Sequence, residues 1–107
     1  MNLDQVILNL IEAQNSHDSK TYADCFTNTA TVHDEGKTYS GKSEIRQWIQ
    51  NSNKKYNAMM KPINYTGSDA GNLLTAEVTG NFPGSPVILK YHISLESGLV
   101  NSLQITV

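Results

Sequence analysis

The sequence predicts an α+β fold in which helices lie on one face of a curved, largely antiparallel sheet. Three observations support this prediction. Apolar residues repeat with a helical period near the N-terminus and again after residue 41, they repeat every second residue from Ala58 onward, and turn signals separate the later segments. The predicted order is helix, helix, strand, helix and then four strands, which is typical of a two-layer domain.

Length and composition indicate one globular domain spanning residues 1–107. The chain is 38% hydrophobic and 17% charged, and its net charge is −2. Its nearest approach to a basic cluster is Lys54, Lys55 and Lys61, which is too sparse for a nucleic-acid binder. No apolar run approaches the length of a membrane span. A single cysteine, Cys25, suits a reducing compartment, so we expect a cytoplasmic protein.

Two N-terminal helices are predicted from apolar spacing. The first carries its apolar residues at helical intervals: Leu3, Val6, Ile7, Leu10 and Ile11. Asn2 can cap this helix. A short second helix, capped by Asp18 or Ser19, places Tyr22, Cys25 and Phe26 on one face. A strand from about Ala30 follows.

A third helix is predicted from about Gly41 to Tyr56, with Ile45, Trp48 and Ile49 facing inward. Met59 to Ser68 is then a predicted strand, which Pro62 assigns to a sheet edge or a bulge. A turn is predicted at residues 69–72. Three apolar sets continue the period of two, and they are Leu74 to Val78, Leu89 to Leu95, and Leu103 to Val107.

The segment Ala30-Thr31-Val32-His33-Asp34-Glu35-Gly36 places three titratable side chains at the end of an apolar strand. Strand alternation puts Asp34 on the face of Ala30 and Val32, and it puts His33 and Glu35 on the opposite face. Burial among apolar neighbours raises the pKa of a carboxyl group towards values useful for proton transfer. Asp34 is therefore the candidate general base. The alternative is a strand-ending turn with the Asp34 carboxylate in water or bonded to backbone.

This element order resembles the nuclear-transport-factor-2-like (NTF2-like) superfamily, in particular its SnoaL-like and ketosteroid-isomerase-like branches. The resemblance covers nearly the whole chain. It rests also on residues 30–34, on Ser40-Gly41-Lys42-Ser43-Glu44-Ile45, and on Ser97-Gly98-Leu99-Val100 before the last strand. It implies a cone-shaped, cystatin-like α+β roll whose mouth is a small-molecule pocket. Because fold does not fix function, the reaction stays open.

The resemblance implies catalytic roles for two residues. In ketosteroid-isomerase-like members, the acidic residue that closes a similar strand removes a proton next to a carbonyl, and that residue is Asp34 here. A tyrosine on the first helix and an aspartic acid on a late strand stabilise the enolate in those enzymes. The first position falls near Leu10, which cannot donate a hydrogen bond, and the second falls near Tyr91, whose phenol can.

The predicted pocket is apolar, and it needs no cofactor or metal. Its predicted lining consists of Leu10, Tyr22, Phe26, Val32, Trp48, Met59 and Tyr65, although the same periodicity also suits plain core residues. His33, Glu35 and His92 have no metal-site spacing, so we predict that they belong to a polar outer face. No glycine-rich phosphate loop implies a nucleotide.

Three functions compete. The first is a cofactor-free isomerase, cyclase or dehydratase that acts on a hydrophobic carbonyl compound. The second is a non-catalytic ligand-binding or dimeric interaction domain, which the loss of the donor at Leu10 favours somewhat. The third is a scaffold whose interior is filled by its own side chains. We also expect a homodimer with two-fold symmetry through the outer sheet face that carries Glu77, Lys90 and His92.

Overall fold

The computed structural model describes residues 3–68 and 71–107, and in these ranges three helices pack against a six-stranded sheet, which confirms the α+β fold. The helices are α1 (Gln5–Asn15), α2 (Ser19–Asp24) and α3 (Gly41–Tyr56). The strands are β1 (Phe26–Asp34), β2 (Lys37–Ser40), β3 (Met59–Ser68), β4 (Gly71–Thr79), β5 (Val87–Glu96) and β6 (Leu99–Thr106). Asn2 and the first half of the turn predicted at 69–72 lie outside the described residues.

The sheet has the order β2-β1-β6-β5-β4-β3, and all of its neighbours are antiparallel except β1 and β6. The last strand therefore pairs with the first long strand, where Val32 lies opposite Leu103. β3 is an edge strand whose register shifts between Pro62 and Asn64. This confirms the prediction from Pro62, because proline has no N–H to donate within a sheet.

A hairpin occupies the region where the sequence predicts a single strand and a turn. Glu35 and Gly36 have φ angles of 52° and 76°, as a two-residue hairpin turn requires. Asp34 pairs with Lys37 and Val32 pairs with Tyr39 across it. β2 has no signal in the sequence, because this four-residue strand is mostly exposed and has no repeating apolar pattern.

β1 begins four residues earlier than predicted, which corrects the assignment of Phe26 to the second helix. α2 ends at Asp24, and the Val100 N–H donates to the Cys25 carbonyl oxygen at 2.8 Å. Phe26 then pairs with Val100. Because β6 offers backbone partners at this point, the chain extends where its side-chain spacing alone suits another helical turn.

The core lies between the helices and the inner face of the sheet. Polar contacts anchor the C-terminal end of α1 to the beginning of β3. The Asn15 side-chain amide donates to the Met60 carbonyl at 2.9 Å, and its oxygen accepts from the Met60 N–H at 2.8 Å. One residue earlier, the Gln14 amide donates to the Ala58 carbonyl. These bonds fix the helix beside the cavity described next.

Candidate active site

A cavity of about 390 Å³ opens at the end of the sheet where β1, β4 and β6 end and β3 and β5 begin. Its size suits a small organic ligand. Five aromatic side chains contribute to its largely apolar wall, and they are Tyr22, Trp48, Tyr56, Phe82 and Tyr91. An interior filled by the protein's own side chains, as a pure scaffold requires, is inconsistent with this space.

Asp34 is the last residue of β1 and lines the cavity. Its side chain is half-buried, in line with Ala30 and Val32 on the inner face of the sheet. Burial raises the pKa of the Asp34 carboxyl from 3.8 to about 6, and the neighbouring charge of Glu35 adds to the increase. A hydrogen-bond interaction with the Trp48 indole opposes it. A carboxylate with this pKa is mostly ionised at pH 7 and can both accept and return a proton.

Tyr91 projects from β5 into the same cavity. Its backbone lies between Leu74 on β4 and Ile105 on β6, so it occupies a central position in the sheet. Burial, and then the charge of Asp34, raise the pKa of the Tyr91 phenol. The phenol is therefore neutral at physiological pH and is available as a hydrogen-bond donor.

Tyr22 brings a second phenol into the cavity from α2. Burial raises the pKa of Tyr22 well above its ordinary value, and Tyr91, Cys25 and Asp34 contribute to the increase. Within the described parts of the chain, neither the Tyr22 nor the Tyr91 hydroxyl has a hydrogen-bond partner. Two donors close to one carboxylate thus remain free for a ligand.

The donor capacity of Tyr22 is the main feature that sequence reasoning missed. The resemblance places a hydrogen-bond donor on the first helix, where Leu10 stands, and the sequence predicts Tyr22 only as a wall residue. The helical spacing of α2 does indicate that Tyr22 faces inward. It gives no sign that the hydroxyl reaches the cavity beside Asp34, because that depends on how α2 packs on the sheet.

Glu35 is exposed but also borders the cavity, which corrects the prediction that it faces away from the pocket. The left-handed backbone of Glu35 ends the strand alternation at Asp34 and turns the next side chain back towards the helices. There the Tyr56 hydroxyl donates to the Glu35 Oε1 at 3.3 Å. His33 is exposed as expected, and its Nδ1 lies 2.9 Å from the Thr38 Oγ1.

The residues predicted to line the pocket divide into two groups. Three of them border the cavity: Tyr22, Trp48 and Met59. Three others do not, and they are Leu10, Phe26 and Val32. These three are completely enclosed in the packed core, because helices and strands fill the space around them.

Tyr65 is likewise absent from the cavity wall. It lies half-buried on the edge strand β3, and its hydroxyl donates to the Asp4 carboxylate at 3.0 Å. This bond ties the edge strand to the N-terminal end of α1. Tyr65 therefore joins two elements of the fold away from the cavity.

The outer sheet face carries the residues predicted for it. Glu77 lies opposite Ile88 on the neighbouring strand, Lys90 opposite Thr75, and His92 opposite Leu73. The His92 Nε2 lies 2.9 Å from the Thr106 Oγ1. Residues 3–68 and 71–107 contain no cluster of three or more His, Cys, Asp or Glu side chains arranged to hold a metal ion. The same ranges contain no helix long and apolar enough to cross a membrane.

Solved structures with this fold are numerous, whereas no family model and no curated protein matches the sequence. A proposed polyketide cyclase from Sinorhizobium meliloti is 29% identical, with a TM-score of 0.93 over 97% of this chain and 95% of that one. A protein with a ketosteroid isomerase-like fold from Catenulispora acidiphila, solved with trimethylamine, is 14% identical. Its TM-score is 0.88, and the match covers 99% of this chain and 87% of that one.

An NTF2-like protein of unknown function from Cytophaga hutchinsonii is 15% identical, with a TM-score of 0.78 over 94% of this chain and 85% of that one. A cystatin-fold protein from Novosphingobium aromaticivorans is 16% identical, with a TM-score of 0.81 over 100% of this chain and 99% of that one. These similarities agree with the order of helices and strands. The chain therefore has the fold of the NTF2-like superfamily, to which its helices, strands and sheet order correspond.

Proposed function

We propose that this protein is a small enzyme, working without a cofactor, that removes a proton next to a carbonyl group of a hydrophobic substrate. One observation carries the proposal. The Asp34 carboxylate, with its pKa raised to about 6, borders the same apolar cavity as the unpartnered hydroxyls of Tyr22 and Tyr91. A base beside two donors is the arrangement that enolate chemistry needs.

In the proposed reaction, Asp34 accepts a proton from the carbon next to the carbonyl. The electron pair of the broken C–H bond forms an enolate, whose oxygen accepts hydrogen bonds from Tyr22 and Tyr91. The protonated Asp34 then returns the proton at another carbon, which completes an isomerisation. Alternatively, the enolate carbon attacks a second carbonyl of the same molecule, and the protonated Asp34 gives its proton to the new alkoxide. In a dehydration, the enolate expels a β-hydroxyl group, which takes the proton from Asp34 and leaves as water. Tyr22 would thus take the place of the donor that Leu10 cannot supply.

Deuterium exchange at the α-carbon of a panel of cyclic ketones, followed by NMR, tests this proposal. We expect Asp34→Asn to slow exchange by about 10²- to 10⁴-fold, because the amide cannot accept the proton. The wild-type rate should rise with pH and level off above about pH 6, where Asp34 is ionised. Asp24→Asn is the matched control, since it removes a carboxylate that is paired with Lys20 and lies outside the cavity.

Equal, slow exchange by the wild type and by Asp34→Asn would exclude proton abstraction at this site. Saturable ligand binding without exchange would then favour the second candidate, a ligand-binding domain that has kept the cavity and lost the chemistry. The cavity itself supports both candidates. The free tyrosine hydroxyls next to Asp34 favour the enzyme.

We further propose that two copies associate through the outer face of the sheet and that the protein works in the cytoplasm. Exposed Ile88 lies opposite Glu77 on this face and offers apolar surface between charged neighbours. Two-fold symmetry would make such a face self-complementary. Light scattering that reports a monomer at tens of micromolar would contradict the dimer.

A further inference from the structure

The charged residues on the cavity wall are all acidic. Asp34 and Glu35 border the cavity side by side, and its described lining contains no lysine, arginine or histidine. Asp34 is half-buried, so its carboxylate has lost part of its hydration and attracts a cation more strongly than a carboxylate in water does, whereas Glu35 is exposed and accepts a hydrogen bond from Tyr56. A neutral hydrophobic ligand would leave the charge of Asp34 uncompensated.

The aromatic rings of the wall add to this preference. Tyr22 and Trp48 have ring centroids 6.1 Å apart and planes tilted by 58°. Nearer to Glu35, Tyr56 and Phe82 meet edge to face, with centroids 5.9 Å apart. The faces of such rings are electron-rich, and several of them around one space recognise alkylated ammonium groups.

A lysine outside the cavity, Lys55, already interacts with Tyr56 and Glu35. The Lys55 Nζ lies 5.0 Å from the centroid of the Tyr56 ring, and its interaction with Tyr56, followed by the charge of Glu35, raises the pKa of Lys55. Lys55 borders an adjoining cleft, while Tyr56 and Glu35 border both the cleft and the cavity. Tyr56 and Glu35, which form the rim of the cavity, therefore already have an ammonium group on their outer side.

We infer that the cavity selects ligands with an alkylated ammonium group, which lies between the Glu35 carboxylate and the rings of Tyr56 and Phe82. This inference rests on the proposed function: it makes the substrate an amino ketone whose carbonyl oxygen lies near Tyr22 and Tyr91 and whose cationic end lies at the rim. Asp34 stands between the two ends.

The test compares choline with 3,3-dimethylbutan-1-ol, which has the same shape but carries carbon in place of the charged nitrogen. The only tryptophan of the chain, Trp48, borders the cavity, so its fluorescence reports binding of either probe. At pH 8 we expect choline to bind at least about tenfold more tightly than its neutral counterpart. Equal affinities, tighter binding of the alcohol, or no binding of either probe would overturn the inference.

Three variants localise the effect. Glu35→Gln should reduce the preference for choline by about fivefold or more, because it removes the carboxylate of the rim. Glu96→Gln removes an equal charge at the far end of β5 and should leave the preference unchanged. Lys55→Met should strengthen choline binding about twofold, since it removes the competing exposed cation. A preference for choline that survives in Glu35→Gln would contradict the assigned position.

The two proposals fail in different ways. A preference for choline without deuterium exchange on any ketone would support the cation site and exclude the enzyme. Exchange on neutral cyclic ketones by a protein that binds both probes equally would support the enzyme and exclude the cation site. An amino ketone that exchanges faster than its neutral analogue in the wild type, but not in Glu35→Gln, would support both.

Discussion

The interior between the helices and the sheet has two ends, and inward-facing side chains line both of them. One end is filled by side chains, whereas the other contains the cavity. Phe26 lies at the packed end, at the start of β1 and thus at the end of the strand opposite to Asp34, where neighbouring side chains leave no space. At the cavity end, Tyr22 and Tyr91 face a space of about 390 Å³. The inward-facing pattern is alike at both ends. Unpartnered polar groups beside empty space, rather than inward orientation, mark the site.

The largest expected effect separates the two ends by stability. Phe26→Ala should lower the free energy of unfolding by about 3–5 kcal/mol, because it leaves a void among fixed neighbours. Met59→Ala, at the cavity end, should change it by no more than about 0.5 kcal/mol, since the Met59 side chain is 44% exposed. Chemical denaturation of both variants gives the comparison.

The control for this prediction is the denaturant slope, which should stay the same in both variants if the unfolded states are alike. A small loss in Phe26→Ala would mean that the packed end collapses around the void. Losses of similar size in both variants would remove the distinction between the ends.

The positions of Asp34 and Tyr91 could be predicted from the sequence because strand alternation decides them. Asp34 shares a face with Val32, and Tyr91 shares one with Ile93, so each points inward once its strand is assigned. The third helix could also be predicted, since its apolar stripe at Ile45, Trp48 and Ile49 is long and regular.

The incorrect predictions arise where tertiary contacts override the local spacing of apolar and polar residues. Glu35 points to the cavity because a left-handed turn interrupts the alternation, and Phe26 is extended because β6 provides a backbone partner. Whether an inward side chain meets space or a neighbour depends on the separation between helix and sheet. That separation is not encoded in the periodicity of either element, and so Leu10 and Trp48 look equivalent in the sequence.

A medium-sized effect tests the cavity end by function. Tyr22→Phe and Tyr91→Phe should each slow α-carbon exchange by about 100-fold, because each removes one donor to the enolate oxygen. Stability should change little, since neither hydroxyl has a partner among the described residues whose bond would be lost. Exchange rates and thermal unfolding, measured on the same samples, test both parts.

Tyr65→Phe is the matched control for the two tyrosine variants. It removes a hydroxyl that bonds to Asp4 instead of facing the cavity, so exchange should be unaffected and stability should fall by about 1 kcal/mol. A rate loss confined to Tyr91→Phe would leave Tyr22 as a wall residue. A rate loss in Tyr65→Phe would mean that the edge strand, rather than the free hydroxyls, controls the site.

The smallest expected effect is the loss of folding stability that the ionised Asp34 carboxylate causes at the cavity end. The folded-state pKa of Asp34 is raised from 3.8 to about 6, so folding favours its neutral form. The stability that the neutral carboxyl contributes is fully present below pH 3.8 and is lost as the pH rises through about 6. Asp34→Asn, which stays neutral, should therefore be more stable than the wild type at pH 8.

We expect a gain of about 1 kcal/mol at pH 8, less than the full pKa shift implies because water reaches the half-buried carboxylate. The gap should close near pH 4, where both side chains are neutral in the folded protein. Asp18→Asn is the control, because the pKa of Asp18 is shifted in the opposite direction. Hydrogen bonds from Thr21 lower the pKa of Asp18, so neutralising this carboxylate should not increase the stability at pH 8. An Asp34→Asn variant that is less stable than the wild type at pH 8 would show that the carboxylate is held by contacts that favour its charge, and such a carboxylate would be a poor base.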